Sequence, residues 1–428
     1  MSMSKPFISK NSHQPGQGAA ARPSAIVPGG SGLTTICCLL LLLGMHTRLA
    51  RALELADWND ALQVHGFLTQ GFVKTSANNF FGDSEDGSFD FTELGVNASY
   101  RLNPRLMASA QLLSRKAGLM YDGSPDVDYA QIDYMPYARN ENRFGVILGR
   151  FKNPYGLYNE TRDVAATRPS IFVPQVIYWD RVRNLVLSND GGLLYGNLHR
   201  GLHDLSLRLY AGKSPIDENV EKTYLPPNAH PNLRQQGLTK GGQLLYEWDG
   251  GVFRLALSGV FLKLDGETHP APGVDLSGDL DLKVYVGSLQ YNRGPWSLTM
   301  EYLNEPIDFH NFGPMDAGDT TVDGYYLQSQ YRLSADWEWL VRYEEAHFDK
   351  DDRSGTDTAA RIPGTFPYNH YVRMWTLGML WEPTEKLLLR AELSRADGTI
   401  FLSNLENPDP RQTQRFWNMF ALLVSYSF

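Results

Sequence analysis

From about residue 62 onward, short connections alternate with long ones, and the segments between them alternate apolar with polar side chains at every second position. The short connections fall at 103–104, 139–142, 249–251, 293–295, 334–336 and 382–384, and are rich in Asn, Gly, Pro, Asp and Ser, the residues that tight turns use. The long ones fall near 75–88, 117–126, 152–184, 213–239, 265–279, 305–322, 348–370 and 397–414. A period-two segment of about ten residues has the length and patterning of a membrane-spanning strand, with one face to lipid and one to a lumen. Lipid demands that every backbone N–H and C=O be paired, which a closed barrel achieves and an open sheet cannot. A soluble β-sandwich has no reason to place all its tight turns at one end.

The alternation is clearest in four places. Leu94, Val96, Ala98, Tyr100 and Leu102 alternate with Glu93, Asn97, Ser99 and Arg101. Trp296, Leu298, Met300 and Tyr302 alternate with Ser297, Thr299 and Glu301, while Tyr325, Leu327, Tyr331 and Leu333 alternate with Gln328, Gln330 and Arg332. Trp337, Trp339, Val341 and Tyr343 alternate with Glu338 and Arg342. These are strand patterns, not helical ones. Such segments number about sixteen between 62–74 and 415–428, the faintest at 127–137 and 185–198. The fold expected is therefore all-β, a transmembrane antiparallel β-barrel of about 16 strands. Tyr100, Tyr134, Tyr291, Trp296, Trp337, Trp381 and Tyr426 tend to end strands beside the short turns, where Tyr and Trp mark the membrane–water boundary.

Residues 1–52 do not share this pattern. They carry five basic residues, no acid, an apolar run at 36–45 and small residues at Ala50 and Ala52. That is the anatomy of a secretory signal peptide with a long basic region, cleaved after Ala52, leaving 53–428 as one barrel domain. A run of ten residues is short of the roughly 20 needed to span a bilayer as a helix. Cleavage takes the only two cysteines and changes the formal net charge from −9 to −14. An exported chain of this size without cysteine relies on neither disulfides nor metal thiolates. A strongly acidic chain with no basic run excludes nucleic acid as a partner. With about ten residues between Ala52 and Leu62, no N-terminal plug domain fits ahead of the first strand.

The final segment, 415–428, reads RFWNMFALLVSYSF, with Phe416, Phe420, Leu422, Val424, Tyr426 and Phe428 on one face and an aromatic residue last. Together with the opening LQVHGFLTQG at 62–71, it resembles the Gram-negative outer-membrane porin family, over nearly the whole of 53–428. The resemblance implies a sixteen-stranded homotrimeric channel in the cell outer membrane, contacting outer-membrane lipid and lipopolysaccharide. It implies an assembly signal at Tyr426 and Phe428 read by the outer-membrane assembly machinery. It implies passive diffusion of small hydrophilic solutes or ions, with no cofactor and no enzymatic activity. Two other readings stay open: a non-conducting structural or adhesin-type barrel, and a substrate-specific outer-membrane transporter.

The stretch 152–184 is the candidate constriction. It is too long for an ordinary connection, is broken by Pro154, Pro169 and Pro174, and holds an apolar run from Ile171 to Trp179 that needs shelter from water. A helical turn is expected at 161–166, capped by Asn159 or Thr161. An external lid or a subunit contact would use the same residues. In porins the third long loop folds inward, and the resemblance implies the same here. The charged groups of this eyelet are Lys152, Glu160, Arg162, Asp163, Arg168, Asp180, Arg181 and Arg183, net +2. The alternation points Glu93, Arg101, Arg115, Arg208, Arg254, Glu301, Arg332, Arg342 and Arg390 into the lumen as the pore wall, where fixed charges filter solutes. Arginine excess gives a weak lean to anions, opposed by acidic outer loops. The acidic stretch 344–353 is read as a solvated loop, since it lacks the spacing of a calcium loop. No His sits in a G-x-S-x-G or H-E-x-x-H setting that would signal catalysis.

Overall fold

The computed structural model describes residues 61–225, 232–271, 274–311, 319–362 and 364–428, with no side chain of 268–276 described. The signal peptide and its cleavage site after Ala52 lie outside the described residues. Sixteen strands follow in order: β1 (Leu62–Thr75), β2 (Ser88–Asn103), β3 (Leu106–Ala117), β4 (Tyr121–Arg139), β5 (Asn142–Lys152), β6 (Ser188–Arg200), β7 (His203–Lys213) and β8 (Asn232–Trp248). The second half holds β9 (Phe253–Ala271), β10 (Val274–Arg293), β11 (Trp296–His310), β12 (Thr320–Arg332), β13 (Trp337–His347), β14 (Tyr371–Thr384), β15 (Leu387–Gly398) and β16 (Phe416–Ser427). Each pairs antiparallel with its neighbours in sequence, and β1 pairs with β16 to close the barrel.

The closing seam shows why the chain ends as it does. Gly66 and Phe428 exchange backbone hydrogen bonds, each 2.9 Å. The Phe428 ring lies over Gly66, where any Cβ would come within 2.4 Å of it. At the short-turn end, Asn140 and Glu141 both have positive φ, 50° and 69°, the conformation of a type I′ hairpin turn.

The outward faces carry the alternation's apolar half. Leu94, Val96, Leu257, Leu298, Met300, Leu327, Val341, Leu377, Leu393 and Leu422 are all exposed. So are the aromatic residues Tyr100, Tyr134, Tyr291, Trp296 and Trp381 near the short turns. Trp337 and Trp381 are register partners with rings stacked 5.4 Å apart. A belt of this size exposed on a folded protein matches lipid and not water.

Two expected irregular stretches turn out to be strand, and a third in part. The 117–126 loop shrinks to a three-residue turn between β3 and β4, and β4 starts at Tyr121 after register shifts opposite β3. The 265–279 loop becomes a hairpin extension of β9 and β10. There the facing inverts: Lys263, Asp265 and Glu267 point outward and are exposed, while Leu262, Leu264, Leu280 and Leu282 are buried inside. Past the lipid belt the outside is wet, so an inverted alternation is still a strand. Of the acidic stretch 344–353, Glu344, Glu345 and His347 end β13 and are not solvated loop, while 348–353 lie in the loop that follows.

Candidate functional site

The segment 153–187, called L3, lies inside the barrel. Its side chains and backbone bond to strands on opposite sides of the closed wall, which only a crossing of the lumen allows. On one side, Arg168 pairs with Glu93 of β2 at 3.0 Å, and Asp180 pairs with Arg115 of β3 at 3.0 Å. On the other, Leu157 N–H and the Tyr178 hydroxyl donate to Glu301 of β11 at 3.0 and 2.7 Å. Glu301 also accepts from Ser288 of β10 at 2.6 Å and Tyr326 of β12 at 2.8 Å. Gly156 bridges β8 and β9, accepting from Gln243 at 2.7 Å and donating to Ser258 at 3.1 Å. Its φ of +57°, with the Tyr178 hydroxyl 2.3 Å from any added Cβ, leaves room for glycine alone. Farther round, Arg342 donates to Ser170 and to the Phe172 carbonyl, Glu344 accepts from Val176 N–H, and Glu392 accepts from Ile171 N–H. Arg390 donates to the Arg168 carbonyl at 2.7 Å.

The apolar run expected to need shelter finds it here. Ile171, Phe172, Val173, Val176, Ile177 and Tyr178 are all buried. They pack against the inward faces of β9–β12 and against Phe80 and Phe81 of the first long loop. The helical turn expected at 161–166 reduces to a single 3-10 turn, Ala165–Thr167, and Asn159 does not cap it. Asn159 instead donates to the carbonyls of Asn153, Val186 and Leu187, clasping the neck where L3 leaves the wall.

Most of the charges predicted for the eyelet are paired and buried. Asp163 is held by Lys152 and Arg183, and Lys152 also pairs with Asp128 at 2.8 Å. Arg162 pairs with Asp180 at 3.2 Å and donates to the Tyr178 carbonyl at 2.7 Å. Arg181 donates to the Ile400 carbonyl at 3.2 Å and stacks on Trp179. Glu160 alone of the eight is exposed, and it pairs with Arg208 of β7. Around it, Thr161 and Thr167 are exposed, while Asp133, Asn197, Ser206 and Arg208 are half-buried on the inner face of β4, β6 and β7. This is the wet, polar side of the crossing.

The wall residues divide in the same way. Glu93, Arg115, Glu301, Arg342 and Arg390 are buried against L3. Arg254 pairs with Glu247 at 2.7 Å, and Arg332 lies 3.5 Å from Glu338 near the short turns. Arg101 is exposed near the short-turn end of β2. Several partners escaped the sequence reading. Glu344 and Tyr326 have the inward parity that Arg342 and Gln328 announce, so alternation alone could have found them. Asp128 sits beyond the register shifts of β4, where parity is lost.

Above L3 the long-loop end is covered by further chain. Helix Glu218–Tyr224, capped by Asp217, buries Val220 and is followed by buried Leu225. Asn219 donates to the Met120 carbonyl at 2.7 Å, and Asn404 donates to the Lys222 carbonyl at 3.1 Å. Beneath this helix, Tyr155, Val176, Trp179, Leu282, Leu303 and Glu305 line an apolar cavity of about 30 Å³. In the last long loop, Glu406 accepts from the N–H groups of Phe81, Gly82 and Leu119, so one carboxylate ties three connections together. Burial pushes its pKa up.

A closed, sixteen-stranded antiparallel barrel with an apolar outer belt and a loop across its lumen is a membrane-barrel architecture. The chain has the fold of the outer-membrane porins. OmpT of Vibrio cholerae in a trimer form matches at 13% identity over 86% of this chain and 99% of that one, with a TM-score of 0.53. The outer membrane channel DcaP of Acinetobacter baumannii matches at 12% identity over 86% and 97%, TM-score 0.53. OmpF of Salmonella typhi, in complex with daunomycin, matches at 14% over 87% and 99%, TM-score 0.51. No protein-family model and no curated protein sequence matches the chain.

Proposed function

We propose that this protein is an outer-membrane channel of a Gram-negative bacterium that passes small hydrophilic solutes or ions by passive diffusion, and not an enzyme. One observation carries the reading: the polar, partly exposed track beside Glu160, bounded by Arg208, Ser206, Asn197 and Asp133. Water-lined polar surface within a closed barrel is what a diffusion path requires. The arginine excess on L3 supports a weak anion preference. The reading extends to a homotrimer, joined through β2–β6. There Ala98, Ala108, Ala110, Ala130, Gly192 and Gly196 share the outer face with Tyr100, Ile132 and Leu194, and small residues let barrels approach closely. Tyr426 and Phe428 would serve as the assembly signal, and lipopolysaccharide as the surrounding lipid.

A second reading has its own support. The apolar packing above L3 favours a barrel that stays shut until the helix Glu218–Tyr224 moves. Planar-bilayer recording separates the two. Stepwise conductance at low voltage supports the open channel, and a correctly folded but silent barrel removes it. Deleting residues 159–180 should raise single-channel conductance without abolishing assembly, and an unchanged conductance would remove L3 from the path. A reversal potential showing no anion bias in a salt gradient removes the anion preference.

A further inference from the structure

Arg395 of β15 stands on the outer face of the barrel, is exposed, and meets no acceptor among the described residues. The pairing register names what lies beside it in three rows across β14, β15 and β16. Arg373, Asp397 and Phe416 stand above, Trp375 and Asn418 flank Arg395, and Leu377, Leu393 and Phe420 lie below. The one acid among these neighbours is Asp397, and Arg415 already holds it by two bonds of 2.7 and 3.1 Å. One strand further, Glu345 of β13 accepts from Arg373 at 3.0 Å and from the Tyr343 hydroxyl at 2.9 Å. Lys74 of β1, the next cation along this face, bonds the Glu85 carbonyl among the acids of the first long loop.

The row below Arg395 faces hydrocarbon, since Leu377 and Leu393 are exposed on the lipid belt. Exposed Trp375 and Phe416 mark the height at which aromatic side chains meet lipid headgroups. At that height the medium outside the wall is headgroup and not bulk water, and the acceptors it offers are phosphate oxygens. An arginine bordering hydrocarbon turns its head toward that layer, and its planar fork matches phosphate bidentately. The neighbouring arginines add to the same charge. Arg373 spends Nε on Glu345, and Arg415 spends Nε and Nη2 on Asp397. Both Nη groups of Arg373 and Nη1 of Arg415 are left without an acceptor among the described residues. The Arg373 guanidinium is held 5.1 Å from the Tyr371 ring and that of Arg415 4.6 Å from the Phe416 ring. Three guanidiniums against two carboxylates leave this face one positive charge in excess.

We propose that the outer face of β14–β16 binds the phosphate of an outer-leaflet lipid headgroup, a phosphomonoester carried by a glycolipid, with Arg395 as its central contact and Arg373 and Arg415 at its upper edge. A terminal phosphate brings three free acceptor oxygens and close to two charges, which suits three guanidiniums better than a singly charged phosphodiester does. The bound lipid fixes the height of the closing strands in the membrane. The site lies apart from the β2–β6 face proposed for subunit contact. It rests on the outer-membrane reading and not on conduction.

The test uses the full barrel folded in detergent, with diphosphoryl lipid A as the probe. Native mass spectrometry counts the lipid retained, and thermal unfolding is followed over a lipid titration. Lipid A is expected to be retained and to raise the unfolding temperature along a saturating curve. Lipid A stripped of its phosphates, and inorganic phosphate alone, are expected to do neither. Arg395→Gln is expected to weaken the apparent affinity at least about tenfold. Lys263→Gln, which removes an exposed cation from β9, is expected to stay within about twofold of wild type. Arg395 bonds nothing in the fold, so its variants should unfold at the wild-type temperature without lipid. Arg395→Lys, which keeps the charge and loses the fork, should bind with an affinity between wild type and Arg395→Gln. Equal affinity for the phosphorylated and stripped lipids, or equal losses at Arg395 and Lys263, overturns the proposal. So does cross-linking that places a second copy of the chain on β14–β16. A barrel that enters no bilayer removes the outer-membrane reading itself, whereas one that enters bilayers and binds lipid without regard to phosphate removes this site alone.

Discussion

The Tyr178 hydroxyl donates to Glu301 at 2.7 Å while accepting from Leu157 and Tyr158 N–H at 2.7 and 2.9 Å. One side chain of L3 thereby joins its own two limbs to the opposite barrel wall. Tyr178 is fully buried, as is Glu301, so each of these bonds is made in place of water.

Tyr178→Phe removes the donor to a buried carboxylate and takes the acceptor from Tyr158 N–H, while Leu157 N–H keeps Glu301 and the ring stays. Hydrogen bonds to charged groups contribute roughly 1.5–3 kcal/mol, and a loss of that order is expected in urea unfolding from detergent. L3 should also loosen, so bilayer currents become noisier. Wild-type stability and quiet currents in the variant would show that L3 is held elsewhere.

That bond also marks the limit of what the chain's pattern reveals. Alternation located the sixteen strands, the lipid face and the inward parity of Glu301 and Arg342, because each depends on neighbours two residues apart. It located L3 by length and apolar content. It did not reveal which charges meet. Tyr178 and Glu301 are 123 residues apart, and Arg168 and Glu93 are 75 apart. Lys152, Arg162, Asp163, Arg168, Asp180 and Arg183 read as eyelet charges, yet they are paired: Arg168, Asp180 and Asp163 with the wall, and Arg162 and Arg183 within the loop. The 117–126 and 265–279 stretches were misread as loops for a related reason. Asp265 and Glu267 look like loop residues only if lipid is assumed outside them.

Leu377 lies on the outer face of β14 between Trp375 and Trp381, and is 56% exposed. On a soluble protein, arginine there would be nearly neutral. In mid-bilayer an outward arginine on a barrel costs about 2–4 kcal/mol. Leu377→Arg is therefore expected to lower folding yield into liposomes and the unfolding free energy by that amount, with Leu377→Lys close behind. Indifference to both substitutions would place this face outside the membrane.

Glu406 ties the last long loop to the first two. Glu406→Ala strands three N–H groups, and amide exchange at Phe81, Gly82 and Leu119 should speed up by at least about tenfold, equivalent to about 1.4 kcal/mol. Glu406→Gln, which keeps an accepting oxygen, is expected to fall between the two. Unchanged exchange at all three amides would mean that packing of Phe80, Phe81 and Leu405 holds these loops without the carboxylate.

Acid should act on the two outer loops in opposite senses. His370, which closes the loop after β13, packs 5.9 Å from Phe348 and bonds Thr365 at 2.8 Å. Burial pushes it down to about 4, against about 6.5 for an unfolded His. Above pH 6.5 it is neutral in both states and nothing is lost. Between pH 6.5 and 4 the unfolded loop takes up the proton first, so the order of 348–370 declines, by at most about 3 kcal/mol. Below pH 4 the loss levels off. Burial raises Glu406, so the folded loop binds its proton more readily than the unfolded one, and acid does not release that tie. Limited proteolysis across pH 7 to 4 should therefore nick 348–370 progressively and spare 399–415. His370→Phe should flatten the first response, and a wild-type protein whose two loops open together would refute the assignment.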